Sequence, residues 1–205
     1  MYIPTAFAET DRGKLHDFIT AHSFGLLVST RQGEPFASHL PFLLERGAGP
    51  RGTLVGHMAR ANPQWQDLDG QQVLAVFSGP HAYVSPSWYA TAPAVPTWNY
   101  AAVHVYGTAG LLDEPRLTDL LERLVGQYES GRERPWTMDL PADYLAKMVR
   151  AVVGFEVPLA RVEGKFKLSQ NRPAEDRAGV IAALSAGGAE ERALAEFMAR
   201  FAPVD

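Results

Sequence analysis

The sequence predicts a mainly β chain with helices attached (β+α), its strands closing, or nearly closing, into an antiparallel barrel. Three observations predict it. Short apolar runs alternate with turn residues through the first half of the chain. The longest strand pattern, Thr97 to Leu112, lies in the middle. Two helical patterns close the chain, with Gly187-Gly188 between them. Short strands joined by turn signals, with no repeat and no low-complexity stretch, are the pattern of a small barrel.

Thr10 to His22 reads as a helix, because Leu15, Phe18 and Ile19 keep helical spacing; Thr10 can cap it, and Asp11 favours its first turn. Phe24 to Thr30 is a strand ended by Gln32-Gly33, and Phe36 to Leu44 is a second. Pro41 cannot donate a ladder bond, so that second strand has an edge, a bulge or an early end there. Thr53 to Met58 is a third strand. Asn62-Pro63 caps and opens a short helix through Trp65 and Leu68. Val73 to Phe77 is apolar without alternation, the pattern of a strand covered on both faces.

Gly79 to Pro96, rich in proline, serine and aromatics, reads as a long ordered loop with a short strand in it. After the long strand, Asp113-Glu114-Pro115 starts a helix with an apolar stripe of Leu117, Leu120, Leu121, Leu124, Val125 and Tyr128. Pro141 to Arg150 is a further helix, and Val152 to Leu168 a last strand region bent at Pro158 and Gly164. One closing helix carries Val180, Ile181 and Leu184; the other carries Leu194, Phe197, Met198 and Phe201. A chain of 205 residues holds one good core, so residues 1–205 are expected to form one domain with helices 173–202 appended.

Composition narrows the function. A net charge of −4 argues against a broad basic face, the footprint of a nucleic-acid binder. There is no cysteine, hence no disulfide framework, thiolate metal site or cysteine nucleophile. No apolar run approaches the ~18 residues of a membrane span. Met1-Tyr2-Ile3-Pro4 lacks the regions of a signal peptide, so a cytoplasmic location without membrane attachment is expected.

Two stretches suit an anion. Only four lysines stand against 15 arginines, and two of the four, Lys165 and Lys167, sit two residues apart. In an extended segment they share a face, with Phe166 and Leu168 on the other, and Gln170 follows. Cations on one side of a buried strand suit a phosphate, unless they are simply solvated at a strand end. The second stretch runs from His57 and Met58 through Arg60 to Asn62. An anion is stabilised at a helix start, with Arg60 just ahead of it, unless Asn62 only caps its helix.

Ser38 and His39 fall on opposite faces of a strand, so one of them faces a core or pocket. Thr97-Trp98-Asn99-Tyr100 combines rings and an amide that could read a planar heteroaromatic, or form an ordinary dimer interface. Phosphate-loop, dinucleotide and nucleophile-elbow motifs are absent. His39, His57 and His104 fall on strands without metal-site spacing, so no metal is expected.

Met1-Tyr2-Ile3-Pro4, Ser38-His39-Leu40-Pro41-Phe42, Gly56 to Pro63, Ala82 to Tyr89, Val95 to Tyr100 and Lys165 to Arg172 together resemble the PaiB family of FMN-binding negative transcriptional regulators. The resemblance spans nearly the whole chain. It implies an FMN-binding split barrel similar to pyridoxamine-phosphate oxidases and small flavin reductases, a homodimer, and a flavin in each cleft between chains. It further implies that Arg60 and the Asn62 helix start hold the FMN phosphate, and that Ser38, His39 and Pro41 line the flavin with His57 and Met58 beside them. Thr97, Asn99 and Tyr100 would face the ring, and Lys165, Lys167 and Gln170 would close the site.

The family function is repression of transcription, with DNA a candidate partner. From Arg172 to Arg200, however, four arginines face five acids, which gives a recognition helix weak support and points to indirect repression. The alternatives are a flavin-dependent oxidoreductase, with His39, His57 and Tyr100 as candidate proton carriers but no assigned catalytic residue, and a cofactor-free barrel for assembly or for another ligand such as haem.

Overall fold

The computed structural model describes residues 1–201. They form nine strands: β1 (Ala8–Glu9), β2 (Phe24–Arg31), β3 (Glu34–Glu45), β4 (Thr53–Ala59), β5 (Gln72–Val84), β6 (Thr97–Thr108), β7 (Gly110–Leu111), β8 (Val152–Pro158) and β9 (Arg161–Lys167). Five α-helices accompany them: α1 (Arg12–Ala21), α2 (Glu114–Glu129), α3 (Ala142–Arg150), α4 (Ala174–Ser185) and α5 (Ala189–Phe201). The strands form one mostly antiparallel sheet, in the order β1-β9-β6-β5-β2-β3-β4-β8-β7. The chain divides into two compact units. Unit 1 holds Met1–Phe18, Ser78–His104 and the chain from Glu163 on; unit 2 holds Ile19–Phe77 and Val105–Val162.

Unit 2 is built on β3. Gln32 and Gly33, both at positive φ (53° and 85°), make the two-residue turn that folds β3 back on β2. Residues up to Pro41 pair with β2, and from Phe42 on the partner is β4. Pro41, which has no N–H, sits at that change of partner, and the Phe42 N–H goes to Ser23 O at 2.9 Å. Inside, the Phe42 ring meets Phe77 at 5.4 Å and Phe155 at 5.9 Å, both edge to face, and all three are fully buried. Asp113 caps α2 by accepting from Arg116 N, and Leu120 and Leu124 pack on Leu43 and Val55.

Unit 1 centres on Phe166 of β9, which packs on Phe18 (5.3 Å), Phe197 (5.2 Å) and Phe201 (5.5 Å). A second tie is polar. Asp176, buried in the first turn of α4, accepts from the Ala90 and Thr91 N–H groups (2.9 and 3.0 Å) and the Thr91 hydroxyl (2.7 Å). Burial pushes its carboxyl up, but those hydrogen bonds outweigh burial and hold it below the usual carboxylate range. Gly179 on α4 touches the turn at Pro86–Trp88: a Cβ there would lie 2.2 Å from Trp88 O.

Several expectations are corrected. The loop expected from Gly79 begins only at Ser85, because β5 continues through Pro80 to Val84. Val73, Ala75 and Phe77 are buried while Leu74 and Val76 are half-buried, so this strand does alternate. The helix near the N-terminus is capped by Asp11, whose carboxylate accepts from Lys14 N at 2.9 Å, not by Thr10. The long strand breaks at Ala109, and the last strand region is two strands separated at Leu159-Ala160.

Phe42→Ala is expected to cost about 3–5 kcal/mol, since it empties the centre of a three-ring cluster; urea unfolding measures this. Gly179→Ala is expected to lower the melting temperature more than Gly126→Ala, whose Cβ would meet nothing within 4 Å.

Candidate functional site

In unit 2 the sequence-predicted residues converge around the turn after β4. Asn62 precedes a five-residue 3₁₀ helix, Pro63–Asp67, and its Oδ1 accepts from Gln64 N at 3.0 Å. Its Nδ2 donates to Ser38 Oγ at 2.8 Å, joining two candidates 24 residues apart. So short a helix carries little dipole, and anion binding here falls to side chains. Arg60 spends Nε on Arg150 O (2.7 Å) and Nη2 on Val152 O (2.9 Å), and its guanidinium lies 5.5 Å over the Trp65 ring. Its Nη1 has no partner among the described residues.

The other unit 2 candidates are spread over both strand faces. His39 is exposed and stacks on Phe24 at 6.1 Å. Met58 is buried, whereas its neighbour His57 is half-buried. His57 Nδ1 is shielded from solvent without a hydrogen-bond partner, and burial holds the imidazole below its usual pKa. Pro41 is the half-buried change-of-partner residue of β3.

Sequence reasoning missed Gln64. Its buried amide donates to Leu27 O (3.1 Å), Ser29 Oγ (2.9 Å) and Phe36 O (3.3 Å), pinning the Asn62 turn to the β2–β3 hairpin. Only its place two residues past a cap hinted at this.

In unit 1 the strand alternation separates two candidates. Asn99 points to the interior, where Nδ2 donates to Ser169 Oγ at 2.9 Å, while Tyr100 is half-buried on the opposite face of β6. Ser169 holds that position at φ 64°, an unusual backbone for a serine. The Asn99 Oδ1 is buried without a partner.

Lys165 packs over the rings of Tyr100 (5.1 Å) and Tyr2 (5.4 Å) and donates to Tyr2 O at 3.1 Å. It is 7% exposed and has no carboxylate partner among the described residues. Lys167 donates to Thr97 Oγ1 (2.6 Å) and Trp98 O (2.5 Å). Burial, and then the neighbouring Lys165 charge, lowers its pKa. Gln170 spends its amide locally, accepting from Leu168 N and donating to Phe166 O.

These donors fit FMN, which carries a phosphate dianion and a ring rich in acceptors. A buried ammonium with one hydrogen bond and no counter-ion is costly unless an electron-rich group meets it. In unit 1, Lys165 is a cationic donor of that kind; in unit 2, the exposed Arg60 keeps a spare Nη1 and the Ser38 hydroxyl adds a polar group.

Residues 1–161 match the family described as "Putative FMN-binding domain". The chain belongs to this family. It is 39% identical over 183 residues to the protease synthase and sporulation protein PAI 2 of Bacillus subtilis, covering 88% of this chain and 87% of that one. Among solved structures it is similar to the flavocytochrome Anf3 from Azotobacter vinelandii (TM-score 0.61, 20% identity, 84% of this chain and 75% of that one). It is also similar to the FAD and heme binding protein from Mycobacterium smegmatis (TM-score 0.60, 18% identity, 88% and 80%). At that identity the structural likeness speaks for fold alone, and the fold is the flavin-binding split barrel that the resemblance implied. The cofactor of the family is FMN.

His57 yields a pH test. Its folded pKa lies below the unfolded value of 6.5, so the unfolded chain takes up the proton first. The His57 contribution to stability is full above pH 6.5 and is lost as pH drops from there toward the folded pKa. His57→Gln is expected to flatten that slope in denaturant titrations at a series of pH values.

Proposed function

We propose that the chain is a cytoplasmic, FMN-holding homodimer that represses transcription indirectly, without itself binding DNA. The cofactor reading is carried by Lys165, the buried ammonium that lacks a counter-ion. When bound, FMN supplies two-electron and one-electron redox chemistry; the chain's residues bind and orient it. Within unit 2, Arg60, Ser38 and Asn62 are the donors offered to a phosphate; within unit 1, taken by itself, Lys165 is the ammonium offered to an electron-rich group. Lys167, already engaged by Thr97 and Trp98, has a supporting role.

The dimer reading rests on an apolar outer face in unit 2. Phe24 is 67% exposed at the start of β2, and the half-buried Leu26 and Val28 follow on the same face. Register sets Leu26 against Val76 and Val28 against Leu74 of β5, so the apolar surface continues across the strands. Regulation comes from the likeness to PAI 2, whose name ties it to protease synthesis and sporulation. Indirect action is supported by charge: α4 and α5 open on the exposed Glu175 and Glu190 and the half-buried Glu191, which repel phosphates.

Flavin-fluorescence titration is expected to show Arg60→Ala and Lys165→Met each weakening FMN binding about tenfold, with Lys167→Ala weaker in effect. Unchanged affinity in both of the first two would remove the assignment. In a low-salt gel shift the FMN-loaded protein is expected to retard neither promoter nor random DNA; retardation of either would overturn indirect repression.

A further inference from the structure

We propose that unit 1 carries a second ligand site, walled by Trp98, Tyr83 and His81, that binds a small methylated ammonium ion. The reading is independent of FMN. Tyr83 and His81 stand on β5 and Trp98 on β6. The Tyr83 and Trp98 rings meet edge to face, 6.1 Å apart at 75°, and form a corner. His81 stands 6.3 Å from Trp98. Both large rings stay open to solvent, Trp98 at 55% and Tyr83 at 45%. They border a cavity of about 470 Å³ that is also lined by the start of α5, with Glu190 and Glu191.

Charge selects the occupant. An aromatic face is negative, indole most strongly, and a cation near two such faces is attracted by both. The cavity lining contains two carboxylates and no lysine or arginine. Glu191 is partly spent, accepting from Gly188 N at 2.6 Å, but Glu190 has no partner among the described residues. The start of α5 adds only about half a positive charge, which the two carboxylates outweigh. The nearest cation on β9, Lys167, is bound to the Trp98 main chain and the Thr97 hydroxyl. A phosphorylated ligand is therefore repelled here, FMN included. A neutral aromatic gains nothing from the acids. The Trp98 and Tyr83 rings add electron-rich apolar surface beside the two carboxylates, so the cation that fits both is one wrapped in methyl groups.

The test uses choline as probe and 3,3-dimethylbutan-1-ol as its uncharged isostere. The full chain is titrated with and without FMN, by calorimetry and tryptophan fluorescence. Choline is expected to bind in both forms, the isostere about tenfold more weakly. Trp98→Leu is expected to abolish choline binding, and Glu190→Gln to weaken it severalfold while leaving FMN affinity unchanged. Trp98→Phe keeps a ring and covers the case in which leucine disturbs folding; an intermediate loss is expected. Equal binding of the isostere, full affinity in Trp98→Phe and Glu190→Gln together, or no choline binding at millimolar concentration would overturn the proposal. Failure to bind FMN with choline binding intact would leave this site standing and remove the cofactor reading instead.

Discussion

Unit 2 depends on one strand serving two partners. β3 pairs first with β2 and then with β4, and the change comes at a residue that cannot donate a hydrogen bond. That single strand therefore joins the hairpin that receives Gln64 to the strand that delivers Arg60 and Asn62. Ser38 lies just before the change and bonds Asn62 just after β4. The polar network is short because the strand that carries one end also sets the position of the other. Beneath it, Phe42 follows the change at once and drops into the core, so the corner is held by burial as well as by its ladder.

Unit 1 manages positive charge differently. Lys165 and Lys167 share a strand face, opposite Phe166, which anchors the ring cluster with Phe18, Phe197 and Phe201. The core therefore fixes where both ammonium groups stand. Lys167 is compensated by a hydroxyl and a carbonyl; Lys165 has a single carbonyl and two ring faces. That asymmetry makes Lys165 the residue with most to gain from a ligand, whereas spacing alone treats the two alike.

Much of the fold was legible in the sequence because local chemistry and final structure agreed. Asp113 with Pro115 opened α2, and Gln32-Gly33 closed the hairpin, each through its own backbone preference. Pro41 was readable as a disturbance, but the pairing shows a change of partner within a continuing strand rather than an edge, a bulge or an early end. Gly79 and Pro80 misled for a physical reason: they look like breakers, yet β5 carries them without ending. Among the candidate residues, Ser38, Arg60 and Asn62 of unit 2, and the lysine pair of unit 1, stood out by type and spacing. Gln64 did not, because its role exists only where the hairpin carbonyls arrive, far away in sequence. Asn99 is a different case: its chemistry suited a ring edge, and strand alternation turns its side chain inward, against Ser169.

The Asp176 carboxylate crosses a boundary of a different sort. The family match ends at residue 161, yet the segment at Ala90 and Thr91, inside that match, is held by a side chain from beyond it. That segment leads into Thr97 and the start of β6. The matched region is thus not a self-contained module in this protein: the tail is a structural tenant of the domain it follows. Two of the three bonds end on main-chain N–H groups, so the brace depends on the tail's carboxylate more than on which residue stands at 91.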